Sequence, residues 1–372
     1  MKCLIKVGFF FSSISTRKVS SKSMTPKHSR GSINRIGKIL IADDISPRER
    51  DAALGELNDW RSLHLEPMNA FQATLRGYVR KIDPKHGIVA QRLKRTPTII
   101  DKLKNRQRVM KLGEMQDIGG LRAIVSDVAK VRELEKKYAK SKAAHILRRK
   151  KDYIAEPQES GYRGIHLVYS TVNPKMPDLD GLLIEIQLRT RLQHIWATTV
   201  ETVGTFFQES LKSSQGSSKW LDFFKLVSAV FACEEGEQPH ETYRDVTYRE
   251  LQELLKEYIG RQSILASLRM ILATKTAKRH FAPDAAYWVI ESCVKQRQLT
   301  VYSFFKGQEE MATSLYRTFE ESYRCRANET QVVLVSVDSI KKMEKAYPNF
   351  FSNIADFNKE LDRLYQEAVS AK

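Results

Sequence analysis

The chain has 372 residues, 42% of them hydrophobic, and a formal net charge of +18 at pH 7. This composition is typical of a soluble globular protein and predicts about two domains, and the positive charge favours a polyanionic partner such as a nucleotide or RNA. A basic enzyme without such a partner has the same composition. The four cysteines include no C-x-x-C pair, which excludes zinc-finger spacing and favours a reducing compartment, here the cytoplasm.

Residues 1–30 carry no fold prediction. They contain Lys2 and a short apolar patch interrupted by Lys6, without a clear cleavage pattern, and Met24 is an alternative start. Because the patch is too short to cross a bilayer, we expect a disordered or misassigned leader and no membrane partner.

Helices precede the first strand. Residues 31–47 are basic and show no clear period, whereas apolar residues recur at helical spacing over residues 48–82. Pro67 is expected to break this stretch into two helices. His64, near the break, is interpreted as a packing or capping residue.

The first strand is predicted over residues 88–95, and a helix then starts at Thr96-Pro97. Arg92, Lys94 and Arg95 lie at the end of this strand. Such cations capture phosphates, and a guanidinium can also stack on adenine. The alternative interpretation is a solvated basic edge.

The second strand is predicted over residues 117–126, with Asp117 at its entrance and Arg122 on one of its faces. A helix is predicted over residues 129–147. A basic run, residues 148–151, follows it. Such a run is usually a solvated face, but here it leads into a loop where it could hold phosphates.

Residues 151–166 are predicted to form a loop that enters a strand, because proline and glycine punctuate the stretch and alternation follows it. Tyr162 and His166 then lie at the mouth of a sheet, with Lys151 and Arg163 nearby. A ring that stacks on a base, beside cations for phosphates, is typical of a nucleotide site. Taken alone, the stretch favours a different interpretation, a turn whose tyrosine covers a core edge.

A further strand is predicted over residues 182–190, where Glu185 and Gln187 point to the same side. Asp117 lies at the end of another strand. Two carboxylates on neighbouring strand ends can hold Mg²⁺.

The remaining chain is predicted to form a closing helix and a second module. The predicted elements are helices at 191–211 and 223–233, a boundary at 234–239, a helix at 248–277, paired strands at 287–293 and 299–305, a helix at 309–323, a strand at 331–337 and a helical stretch at 340–365 broken at Pro348. This order predicts a small α+β domain without an obvious catalytic set.

Four segments, in this order, resemble the synthetase domain of RelA/SpoT enzymes, over roughly residues 30–230. They are Arg92-Leu-Lys94-Arg95 with Lys102-Leu103, Asp117-Ile-Gly-Gly-Leu-Arg122, Lys151-Asp-Tyr-Ile with Gly161-Tyr162-Arg-Gly-Ile-His166, and Glu185-Ile-Gln187-Leu-Arg189-Thr190. The resemblance implies an α+β fold with a mixed sheet flanked by helices over residues 31–233, and a C-terminal regulatory domain over residues 234–372.

The resemblance also implies a reaction, transfer of the β,γ-diphosphate of ATP to a ribose 3′-hydroxyl with Mg²⁺. The implied roles are catalysis for Asp117, Glu185 and Gln187, metal binding for Asp117 and Glu185, ATP binding for Arg92, Lys94, Arg95 and Arg122, and acceptor binding for Lys151, Tyr162 and His166. A non-catalytic RNA-binding module is the alternative from another class.

One departure bears on the acceptor. Family members that make guanosine tetraphosphate resemble Lys-Asp-Tyr-Ile-x-x-Pro-Lys, and Gln158 replaces the second lysine here. That lysine helps to hold the 5′-diphosphate of GDP, and a neutral amide cannot match a charge-assisted contact. We therefore prefer the 3′-CCA end of tRNA as acceptor, with GDP or GTP as the alternative.

The C-terminal segment around Tyr347 and Phe350 resembles that of fused toxin–antitoxin members of the superfamily, the CapRel type. There, a zinc-finger-like module without zinc places two tyrosines over the ATP site until a phage protein displaces them. Phe350 departs from that pattern because it lacks the hydroxyl. The alternative is a hydrophobic staple that holds the last helix.

Overall fold

The structure is a computed structural model. It describes residues 28–104, 110–140, 145–173, 176, 179–207, 211, 217–262, 264, 268, 282, 285–293, 298–322, 330–337, 342, 345–347 and 354–370.

The described chain contains both helices and strands, without regular alternation between them, which agrees with the predicted α+β class. The helices are α1 (Arg30–Ile41), α2 (Pro47–Leu63), α3 (Leu65–Ile82), α4 (Thr96–Lys104), α5 (Val128–Ala139), α6 (Arg191–Phe207), α7 (Ser218–Glu234), α8 (Tyr248–Gln262), α9 (Glu309–Ser322) and α10 (Ala355–Ser370). The strands are β1 (Ile88–Leu93), β2 (Gly119–Val125), β3 (Ile146–Asp152), β4 (Ile165–Ser170), β5 (Leu183–Thr190), β6 (Tyr287–Cys293), β7 (Gln298–Phe304) and β8 (Thr330–Val337).

All of these strands join one eight-stranded sheet, in the order β3-β4-β5-β2-β1-β8-β6-β7. β2 and β5 are parallel, and the other neighbours are antiparallel. The sheet is therefore mixed, as predicted, and flanked by helices.

The two faces of the central strands differ in chemistry. One face is apolar because Leu121, Ile165 and Ile186 pack on it with residues of α3 and α5 such as Phe71 and Leu134. Burial of this face supplies the main driving force for closing the sheet on its helices. The opposite face carries the polar residues of the site described below.

A second layer consists of α6, α7, α8 and α10. Their apolar residues, among them Trp196, Phe223, Leu255 and Phe357, form one buried cluster. The aromatic stripe of α6 is therefore core, as expected.

The break between α2 and α3 lies at His64, three residues before Pro67, so the predicted position was wrong by about one turn. Pro67 is tolerated in the first turn of α3, where its missing N–H has no helical partner. His64 is buried, and its Nδ1 lies 3.1 Å from the Trp60 carbonyl oxygen, which agrees with a packing role.

Two other elements differ from the sequence prediction. Residues 30–41 form helix α1, although no clear period was recognised there. The helix predicted over 129–147 ends at Ala139, and the basic run belongs to edge strand β3, whose residues Ile146–Lys151 are all exposed. An exposed edge strand needs no apolar alternation, so the pattern gave no signal.

The C-terminal strands extend the same sheet instead of forming a separate one. The hairpin of β6 and β7 was predicted correctly, and β8 pairs with β6 on one side and with β1 on the other. Arg92 of β1 is thus paired with Val335 of β8. Among the described residues, no helix has the length and apolar content needed to cross a membrane.

Candidate active site

The strand register places the predicted polar residues in two rows on one face. In the first row Arg92 pairs with Gly120, which pairs with Glu185. Since Gly120 has no side chain, the space between Arg92 and Glu185 stays open, and the nearest atom to an added Cβ is 3.8 Å away. In the second row Arg122 pairs with Gln187, which pairs with His166. Directly paired residues project to the same side of a sheet, so these groups share one surface.

A closed ring of hydrogen bonds connects five side chains on this surface. Glu185 Oε1 lies 2.9 Å from His166 Nδ1, and His166 Nε2 lies 2.5 Å from the Tyr162 hydroxyl. Arg189 Nη2 donates to that hydroxyl over 2.8 Å and to Gln187 Oε1 over 3.0 Å. Gln187 Nε2 donates to Glu185 Oε2 over 2.7 Å and closes the ring. The ring fixes the orientation of Glu185.

Charges in the ring shift its proton affinities. Burial disfavours the imidazolium, but Tyr162 and Glu185 outweigh burial and raise the pKa of His166 to about 9. Burial alone would raise the pKa of Tyr162, but Arg189 and His166 lower it to about 8. The pKa of Glu185 is lowered, since His166 outweighs burial and the repulsion from Asp117. Glu185 is therefore ionised at neutral pH, and Asp117 is near enough to influence it.

Asp117 lies just before β2, between two lysines. Lys94 Nζ donates to its Oδ2 and Lys102 Nζ to its Oδ1, both over 2.8 Å. The lysines hold the pKa of Asp117 well below its usual value despite burial. The two ammonium groups thus lie at the entrance of the polar face.

Three guanidinium groups, of Arg92, Arg122 and Arg189, lie close together on the same face. Burial and the charges of Arg189 and Arg92 lower the pKa of Arg122 to about 10. Its Nε is buried, with no hydrogen-bond partner among the described residues. Such a cluster favours an anionic ligand that would offset the repulsion.

The C-terminal segment reaches this face. The Arg122 guanidinium lies 5.6 Å from the centroid of the Tyr347 ring, and its Nη1 donates to the Ala346 carbonyl oxygen over 2.9 Å. His194 Nε2 of α6 lies 2.7 Å from the Lys345 carbonyl oxygen. Tyr347 is only 2% exposed. Phe350, the other residue predicted to cover the site, lies outside the described residues.

The predicted acceptor residues are brought together only in part. Lys151 of β3 pairs with His166 in register, but its side chain is exposed at the sheet edge. Tyr162 is partly buried and contacts Tyr153 edge-on at 5.7 Å. Arg163, expected nearby as a phosphate ligand, is instead buried and bonded to Glu235 at 2.7 Å, so that expectation was wrong.

The turn before Tyr162 depends on Gly161, which has φ +85°. An added Cβ there would lie 3.1 Å from the Lys225 Cα of α7. The Ser228 hydroxyl of α7 donates to the Gly161 carbonyl oxygen. Close packing on α7 thus sets the position of the tyrosine.

Sequence reasoning gave no role to Arg189 or Lys102, although both contact predicted site residues. Arg189 shares a strand face with Glu185 and Gln187, so the period of two could have identified it. Lys102 has no such periodic signal, because a helix brings it to Asp117, although it belongs to the first of the four resembling segments. Arg95, predicted beside the phosphates, is partly buried after β1, where burial and Arg92 lower its pKa.

Comparison with known proteins finds similarity in the central region. Residues 91–204 match the family described as a region found in RelA and SpoT proteins. A GTP pyrophosphokinase of Bacillus subtilis, YjbM, is 35% identical over 114 residues, which span 30% of this chain and 52% of that protein. The chain therefore matches about half the length of this curated relative.

Solved structures with lower identity also align. Small alarmone synthetase 1 from Bacillus subtilis, bound to its product pppGpp, is 23% identical, with a TM-score of 0.42 over 49% of this chain and 93% of that one. A GTP pyrophosphokinase family protein from Streptococcus pneumoniae is 22% identical, with a TM-score of 0.41 over 53% of this chain and 96% of that one.

Proposed function

We propose, from the match of residues 91–204 to the region found in RelA and SpoT proteins, that the protein is an ATP-dependent pyrophosphokinase. It transfers the β,γ-diphosphate of ATP to a ribose 3′-hydroxyl. The hydroxyl oxygen bonds to the β-phosphorus, the bond from that phosphorus to the α,β-bridging oxygen breaks, and AMP leaves. The observation that carries the proposal is the single sheet face on which Arg92 and Arg122 lie beside ionised Glu185.

ATP binding is assigned to Arg92, Lys94, Arg95 and Arg122. Phosphoryl transfer needs positioning and charge neutralisation more than covalent chemistry, and a cationic cluster supplies both. Arg122, with its buried Nε lacking a described partner, is well suited to a phosphate oxygen. When ATP binds, the ammonium groups of Lys94 and Lys102 can donate to phosphate oxygens in place of the Asp117 carboxylate.

Mg²⁺ is assigned to Asp117 and Glu185. The donor set fits, because both are ionised carboxylates and hard cations prefer oxygen ligands. In the structure their oxygens accept hydrogen bonds from Lys94, Lys102, His166 and Gln187, so these donors must yield to a metal. When bound, the ion supplies charge neutralisation for the triphosphate.

Glu185 and Gln187 are assigned to catalysis at the acceptor hydroxyl. Glu185 takes the hydroxyl proton, and Gln187 holds Glu185 in place through its amide. The lowered pKa of Glu185 makes it a weak base. A loose transition state for phosphoryl transfer requires little base strength. Glu185 therefore contributes to the rate more by orienting the acceptor hydroxyl than by its basicity.

Acceptor binding is assigned to Lys151, Tyr162 and His166. The acceptor itself is proposed to be the 3′-CCA end of tRNA. Gln158 is neutral where a GDP-binding lysine stands in the family pattern, and a terminal adenosine of tRNA has no 5′-diphosphate to bind. The exposed cationic strand β3 and the net charge of +18 also suit a long polyanion. Modification of that end would prevent aminoacylation and stop translation, in the cytoplasm.

A guanine nucleotide is the second candidate. It is favoured by the name of the curated relative, a GTP pyrophosphokinase that matches over 114 residues. Incubation with γ-labelled ATP and either GDP or deacylated tRNA separates the two. We expect label on tRNA, and label that appears only in the guanine nucleotide would overturn the preference.

The C-terminal domain, residues 234–372, is assigned as a built-in inhibitor of a toxin used against phage. Tyr347 covers Arg122, one of the assigned ATP ligands, and a phage protein that binds the domain would release the ring. Phe350 is assigned a supporting part in the same cover. The inhibitor cannot be tested by deletion, because removal of β8 would open the edge of β1 beside Arg92. Point variants of the full chain are required instead.

A further inference from the structure

A buried polar network joins helix α9 to helix α2. Arg61 and Glu320 form an ion pair with 2.6 Å between Nη1 and Oε2, and their side chains are 2% and 7% exposed. The Tyr316 hydroxyl accepts a hydrogen bond from Arg61 Nη2 and donates one to Glu320 Oε1, each over 2.6 Å. The network therefore connects residues more than 250 positions apart in the chain.

The network ends on the backbone of Lys94. Arg61 Nη2 and Nε donate to the Lys94 carbonyl oxygen over 2.6 and 3.0 Å. On the other side, the Lys94 N–H donates to the Ile118 carbonyl oxygen over 2.8 Å. Lys94 is thus held from both sides of its backbone while its ammonium group reaches Asp117.

The same carboxylate holds the start of α4. The Thr96 N–H donates to Glu320 Oε1 over 3.1 Å, and its hydroxyl lies 3.2 Å from Oε2. The first N–H groups of a helix have no partner within the helix, and a carboxylate there also interacts favourably with the helix dipole. α4 carries Lys102, the second ammonium group on Asp117.

We propose that Glu320 is a positioning residue for the triphosphate site, acting through Arg61 and Thr96 on Lys94 and Lys102. The C-terminal domain is then a part of the ATP-binding apparatus as well as its inhibitor. This inference rests on the proposed function, since it takes Lys94 as an ATP ligand.

Stability alone does not explain the network. Taking an ion pair out of water costs about as much as the attraction returns, so a buried pair is weak support for a purely stabilising role. A neighbouring contact provides the comparison. Arg317 joins the same two helices through the Ser62 hydroxyl and through Asp59 at 3.8 Å, and these contacts do not include Lys94 or Thr96.

The test compares Glu320→Gln, Tyr316→Phe and the control Arg317→Ala, each in the full chain with and without Tyr347→Ala. Binding of α,β-methylene-ATP and of AMP is measured by calorimetry, together with the midpoint of thermal unfolding. For the triphosphate analogue we expect Kd to rise about tenfold in Glu320→Gln and about threefold in Tyr316→Phe. AMP, which lacks the phosphates near the two lysines, should bind as in the parent.

Arg317→Ala should bind both ligands like the parent even if its unfolding midpoint falls. The inference is overturned if Glu320→Gln and Tyr316→Phe bind the triphosphate analogue no more weakly than Arg317→Ala, or if they lose affinity for AMP equally. If Glu320→Gln does not fold, the comparison of Tyr316→Phe with Arg317→Ala tests the inference. If the chain binds the analogue but transfers no diphosphate from ATP, both as the parent and as Tyr347→Ala, the proposed function is refuted and this inference stands.

Discussion

The guanidinium of Arg122 lies under the ring of Tyr347, 5.6 Å from its centroid, although the two residues are 225 positions apart (347 − 122). Arg122 belongs to the parallel pair of strands at the centre of the sheet. Tyr347 belongs to a segment that follows the last strand of the same sheet. The segment therefore occupies the face on which the triphosphate is proposed to bind.

Tyr347→Ala should raise the rate of diphosphate transfer, because it removes the ring that competes with phosphate for Arg122. A cation–π contact contributes about 0.5–2 kcal/mol, which corresponds to an increase of about two- to thirtyfold. The rate is measured in the full chain. Tyr347→Phe keeps the ring and serves as the control. Equal rates in the parent, the alanine variant and the phenylalanine variant would contradict the proposed inhibition.

Glu185→Gln should reduce transfer by about 10²–10⁴-fold, since an amide cannot take the hydroxyl proton and binds a cation poorly. The amide is nearly isosteric, so the chain should still fold, with a lower thermal midpoint because the ion pair with His166 is lost. The control is Glu156→Gln, an exposed carboxylate of the loop between β3 and β4. If Glu185→Gln transfers diphosphate at the parental rate, Glu185 has no catalytic role.

The protonation of His166 predicts how stability depends on pH. Its pKa is raised to about 9 in the folded protein, so the native state binds more protons than the unfolded chain above about pH 6.5. The stabilisation is thus complete below about pH 6.5 and declines as pH rises. Above about pH 6.5 the free energy of unfolding should therefore fall as pH rises towards the folded pKa of His166.

Urea unfolding of the parent and of His166→Gln at several pH values measures this loss. The difference in free energy of unfolding between the two proteins should shrink from pH 6.5 to pH 8. A difference that is constant or grows over this range would show that His166 is neutral in the folded state.

Gln158→Lys should shift acceptor preference from tRNA towards GDP. The Gln158 backbone accepts a hydrogen bond from Gly161 and donates one to Tyr162, so a new side chain leaves the turn intact. A charge-assisted hydrogen bond to a phosphate contributes about 1.5–3 kcal/mol, or about tenfold or more in the ratio of rates. Gln158→Met is the neutral control. If the ratio of the transfer rates to GDP and to tRNA is the same in Gln158→Lys as in the parent, residue 158 does not determine the choice of acceptor.

Alternation in the sequence was sufficient to predict the strands that carry the site. Glu185 and Gln187 alternate with apolar residues, and so does Arg122, because one face of the sheet is core and the other holds the ligand site. The hairpin of β6 and β7 followed from the same patterns, whereas the α+β class with a mixed sheet came from the resemblance to RelA/SpoT synthetase domains.

Elements held by distant contacts were not predictable in this way. Pairing of β8 with β1 depends on residues far apart in the chain, such as Val335 and Arg92, which are 243 positions apart (335 − 92), and no local pattern encodes it. Glu320 lies on an ordinary amphipathic helix, so its bond to Thr96 was invisible in the sequence. Burial of Arg163 depended on Glu235, a partner that the fold brings in from the end of another helix.

The most direct test of the central claim is the identity of the nucleotide that remains after transfer. The full chain, as the parent and as Tyr347→Ala, is incubated with Mg²⁺, β-labelled ATP and an acceptor, either deacylated tRNA or GDP, and the nucleotides are separated. A pyrophosphokinase predicts AMP in amounts equal to the labelled acceptor, with both lost in Glu185→Gln. Formation of ADP with an acceptor that carries no β-label, or no labelled acceptor from either protein, would contradict the account.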